Sequence, residues 1–73
     1  MLIRKISIGS DYKDSAMHYV VGQDVLNGNY RIHHIRQNDD RSILIWIEKE
    51  KEIYLWKHFR ETMPISIEYN LNF

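Results

Sequence analysis

The residues able to do chemistry gather in two stretches, 11–19 and 31–36. In the first, Tyr12 and Lys13 set a ring beside an ammonium group, and Met17, His18 and Tyr19 place three large semi-apolar side chains in succession. Tyrosine and histidine join an apolar body to a polar tip, which suits a flat ligand that also takes hydrogen bonds. Lys13 suits a phosphate or carboxylate partner. In the second stretch Arg31, His33, His34 and Arg36 follow closely, and a histidine beside an arginine can bind an anion through charge-assisted hydrogen bonds. The candidate ligand-binding set is therefore Tyr12, Lys13, Met17, His18, Tyr19, Arg31, His33 and Arg36. Each has a plainer alternative: an Asx-type turn at Asp11 with a solvated lysine, a loop whose Met17, His18 and Tyr19 plug the core, or a half-buried, satisfied strand histidine.

Catalytic signatures are missing. There is no cysteine, and Ser10, Ser15, Ser42 and Ser66 lack a nucleophile-elbow context. No glycine-rich phosphate loop and no HExxH pattern occur. Neighbouring side chains of a strand point to opposite faces, so His33 and His34 cannot share a metal unless a bulge intervenes. With no cysteine and no placed carboxylate, a zinc site is not expected. The expectation is a binding protein, not an enzyme, with no cofactor and no metal.

These side chains must be positioned by a small all-β scaffold. The 73 residues make one domain, too small for a generous core. Without disulfides, association is the natural supplement, and a homo-oligomer is expected. Ten basic residues balance ten acidic ones, so a nucleic-acid partner is disfavoured. No apolar run approaches the ~20 residues of a membrane span and no signal-peptide core opens the chain. A cytoplasmic protein with no membrane partner is the expectation.

Alternation predicts five strands, over residues 2–8, 30–37, 42–48, 53–59 and 65–73. A rival helix over residues 42–62 is disfavoured because Ile, Trp and Tyr dominate that run. A long polar and aromatic loop over residues 9–22 separates the first two strands. A short helical turn at residues 60–63 is stopped by Pro64. Asn27-Gly28-Asn29 marks a turn, and the charged run 48–52 another. Ile43, Ile45 and Ile47 oppose Leu44 and Trp46, so both faces of that strand are apolar and the second must meet another layer or subunit. Trp46, Tyr54 and Trp56 are expected as neighbours across the third hairpin. The element order is that of a small five-stranded antiparallel SH3-like barrel with a long loop between strands 1 and 2. An open five-stranded sheet that dimerises through Leu44 and Trp46 is the alternative.

The segments IGSDYK (residues 8–13), AMHYVVGQ (16–23) and IHHI (32–35) resemble stretches in small uncharacterised proteins of tailed bacteriophages. WIEKEKEIYLW and MPISIEYN extend the likeness more loosely. Such proteins include nucleotide sponges, which sequester the cyclic-oligonucleotide signals of CBASS-type bacterial immunity in pockets built between subunits. The resemblance implies a non-enzymatic, oligomeric nucleotide binder acting in host cytoplasm. A phage interaction module that binds a host or virion protein is the runner-up, and a single-strand-binding barrel the third reading.

Overall fold

In a computed structural model, the described residues are 2–9 and 17–70. They are all-β, with seven strands: β1 (Ile3–Ile8), β2 (Met17–Val20), β3 (Asp24–Val25), β4 (Tyr30–Gln37), β5 (Ser42–Lys49), β6 (Glu52–Arg60) and β7 (Ile65–Tyr69). Every pairing is antiparallel. The strands form two sheets, ordered β2-β1-β7 and β3-β4-β5-β6. Five strands were expected; the two additional ones, β2 and β3, come from the stretch read as a loop and the segment just after it.

Short length hid those two. β2 has four residues and β3 two, too few for a clear alternation. Between them Gly22 takes φ 94°, a left-handed conformation open to glycine without a Cβ penalty. The chain turns there from one sheet to the other. Val21 N–H donates to the Arg4 carbonyl at 2.8 Å, and Gly22 N–H to the Ile32 carbonyl at 2.8 Å. One corner thus ties β1 to β4.

The core joins the sheets through seven isoleucines and a tyrosine: Ile6, Ile8, Tyr19, Ile32, Ile35, Ile43, Ile45 and Ile47 are buried. β-branched side chains pack well on a pleated surface, and their alternation sets which face turns inward. Ile65, Ile67 and Phe59 pack against the cluster.

Three one-residue insertions break the alternation. In β1 Ile3 opposes Tyr69 and Lys5 opposes Glu68, leaving Arg4 extra. In β4 Ile32 opposes Ile47 and His34 opposes Trp46, leaving His33 extra. In β6 Leu55 opposes Trp46 and Lys57 opposes Ile45, leaving Trp56 extra. Such bulges re-aim the inserted side chain and strengthen the local twist. The β6 bulge turns Trp56 toward the core, edge-on to Tyr19 at 6.2 Å between centroids. Trp46 lies on the opposite face against the His34 ring at 5.2 Å. The expected aromatic cluster of Trp46, Tyr54 and Trp56 is therefore divided between two faces.

Residues 60–63 form no helical turn: Arg60 ends β6 and an irregular bend follows. Its geometry is held from outside. The Arg41 guanidinium donates to the carbonyls of Glu61, at 2.7 Å, and Met63. The Glu61 carboxylate accepts from the backbone N–H of Thr62 and Met63, both at 2.9 Å.

A candidate anion-binding groove

The bulges in β1 and β4 open onto a common groove of about 500 Å³. Leu2, Ile3 and Arg4 form one wall and His33 and His34 the other, with Val21, Tyr69 and Asn70 completing it. A second depression of about 270 Å³ shares Leu2, Ile3, His34 and Tyr69 and continues along β4 through Ile35, Arg36 and Gln37. β3 starts opposite Arg31, so from His34 onward this edge of β4 has no strand partner among the described residues.

The β4 bulge decides the chemistry. Cross-strand neighbours share a face, which places His34 with Trp46, opposite the buried isoleucines. The inserted His33 turns the same way, and its Nδ1 lies 3.1 Å from Glu48 Oε2. Both imidazoles thus stand on one face, by the exception that a bulge allows. Arg36 occupies the same face, opposite Leu44, and its Nε donates to Asn38 Oδ1 at 3.1 Å. On the far wall Arg4 Nη1 donates to Glu68 Oε1 at 2.7 Å.

No carboxylate lines either depression among the described residues. Two guanidinium groups, two imidazoles and the Tyr69 ring surround a floor of Ile3 and Ile35. Guanidinium groups grip phosphate or carboxylate oxygens in a fixed fork, while rings and aliphatic groups accept a flat apolar surface. Glu68 and Glu48 sit just outside, each already engaged by a cation or imidazole of the groove wall. No group of three metal-ligating side chains occurs among the described residues.

No protein family, curated protein or solved structure matches this chain. The groove is thus characterised by its own residues.

The expected ligand set is split by the fold. His33 lines the groove and Arg36 the adjoining depression. Arg31 is drawn away from it, 3.6 Å from Asp24 Oδ1, beside a separate depression that also holds Glu48 and Lys49. Met17, His18 and Tyr19 are on β2, at the edge of the other sheet, and none lines the groove. Met17 is exposed. His18 Nδ1 meets the Ser7 hydroxyl at 2.8 Å across the β1–β2 pair. Tyr19, expected to offer its ring to a ligand, is only 8% exposed and belongs to the core; burial raises its phenol pKa. Tyr12 and Lys13 lie outside the described residues.

Arg4, His34 and Tyr69 complete the groove and were absent from the expected set. One sequence signal existed for two of them. Arg4 interrupts the apolar parity of the first strand, and His33-His34 does so in β4, as inserted residues must.

Proposed function

We propose that the groove binds a small anionic ligand with a planar ring, of the nucleotide class, and holds it without turnover. The observation carrying this reading is the pair of bulges at Arg4 and His33, residues that line one cleft together with His34 and Tyr69. Backbone insertions that re-aim side chains are over-represented beside functional sites. Its volume of about 500 Å³ falls in the usual range for small-ligand pockets, roughly 300–1,000 Å³. A cleft needs no overall positive charge, because a few charge-assisted hydrogen bonds suffice. A nucleotide sponge has this chemistry: donors for phosphates, faces for bases and no catalytic apparatus. On this reading β2 and β3 are two arms of one bent strand, and the scaffold is a small SH3-like barrel enlarged by one strand.

Calorimetric titration with a panel of cyclic di- and trinucleotides tests the proposal. One or more members should bind, be recovered chemically intact, and bind at least tenfold more weakly to Arg36→Ala, since a hydrogen bond to a charged group contributes about 1.5–3 kcal/mol. Silence across the panel, or cleavage of the ligand, would end this reading.

A further inference from the structure

We infer that the groove and the adjoining depression form one site for a ligand with two separate anionic groups, an inference that rests on the nucleotide-class reading. Arg4 holds one group and Arg36 the other. The two hollows share Leu2, Ile3, His34 and Tyr69. Two aliphatic side chains and two rings make a seam that suits the flat apolar part of a ligand. Beyond that seam the hollows differ. Arg4 and His33 line only the larger, and Arg36 only the smaller. Each hollow therefore has its own arginine, Arg4 on β1 of the three-stranded sheet and Arg36 on β4 of the four-stranded one.

Local contacts keep the two cations from converging on one point. Arg4 Nη1 donates to Glu68 Oε1 at 2.7 Å, and Arg36 Nε to Asn38 Oδ1 at 3.1 Å. Glu68 and Asn38 line neither hollow; the first belongs to β7 and the second follows β4. Each guanidinium is thus held by an acceptor of its own. Each also keeps further N–H groups for an anion, since the group carries several in a fixed fork. Along β4, His33 and Arg36 are three residues apart, roughly 10 Å of extended strand at about 3.3 Å per residue. One phosphate serves one end of such a site, whereas phosphates joined through a nucleoside serve both. No carboxylate lines either hollow among the described residues, so neither end repels an anion. A ligand of two or more linked nucleotides, not a mononucleotide, uses every group the site offers.

Calorimetric titration of the full chain with the cyclic di- and trinucleotide panel, and with the 3′,5′-cyclic mononucleotides of the same bases, tests the inference. A panel member that binds should do so about tenfold or more tightly than the mononucleotides of its bases. Arg4→Ala and Arg36→Ala, both at exposed positions, should each remove that advantage with an unchanged circular dichroism spectrum. Lys51→Ala, in the turn between β5 and β6, should leave it. A mononucleotide that binds as tightly, a loss at only one of the two arginines, or an equal loss in Lys51→Ala would overturn the two-anion site while nucleotide binding itself stood. Silence toward every compound would instead end the nucleotide reading, and the two-anion site with it.

Discussion

Asp40 shows how one carboxylate can set a hairpin. Its Oδ1 accepts from the Ser42 hydroxyl at 2.6 Å and from the Ser42 backbone N–H at 3.0 Å, and Oδ2 accepts from Arg60 at 3.2 Å. The Ser42 hydroxyl bond, the Ser42 backbone bond and Arg60 together lower its pKa to about 2. A lowered carboxylate pKa means that folding favours the ionised form. Its contribution is therefore full above the unfolded value, near 4, and disappears as pH falls toward 2. The stability difference between wild type and Asp40→Ala, from denaturant midpoints, should be largest near neutrality and shrink across that window. Tyr19 is the second informative residue. Removing its buried ring should destabilise by about 3 kcal/mol, the scale for truncating a large core ring, and shift the urea midpoint accordingly. An unchanged midpoint with weakened ligand binding would return Tyr19 to the ligand surface.

Among the elements, β4 and β5 were readable from alternation nearly to the residue: β4 runs Tyr30–Gln37 and β5 runs Ser42–Lys49. Their periodicity is strong because one face is fixed by isoleucine. What alternation cannot express is an inserted residue. Arg4, His33 and Trp56 each add one position to a strand, and from there parity counted along the sequence is off by one. The groove was consequently only half visible, since His33 and Arg36 were identifiable by type but Arg4, His34 and Tyr69 became neighbours only through bulges and pairing. The β4 bulge has a direct test. Deleting His33 keeps Ile32 and Ile35 on the core face, because simple alternation then runs Ile32, His34, Ile35 without the extra position. The shortened chain should unfold cooperatively near the wild-type midpoint and bind nucleotide several-fold more weakly. Collapse of the fold on deletion would make the bulge a requirement of the corner at Gly22.

Among the described residues the core comprises eight buried side chains drawn from both sheets. Domains of this size have little stability to spare, and this one keeps Ile53, Leu55, Leu2 and Met63 largely outside that core. Nothing in residue order showed that Trp56 would turn inward and Trp46 outward. Among the described residues no helix is long and apolar enough to cross a membrane. The groove lies between the first residues of β1 and the edge of β4 that has no strand partner among the described residues.

The most direct test is an amide chemical-shift titration of the uniformly labelled chain with the tightest-binding cyclic nucleotide. The account predicts saturable shifts concentrated at residues 2–4, 33–37 and 69–70, with the midpoint moved at least tenfold higher in ligand concentration in Arg36→Ala. Shifts centred instead on residues 17–19 or on the β5–β6 hairpin, or no saturable shift at all, would contradict it.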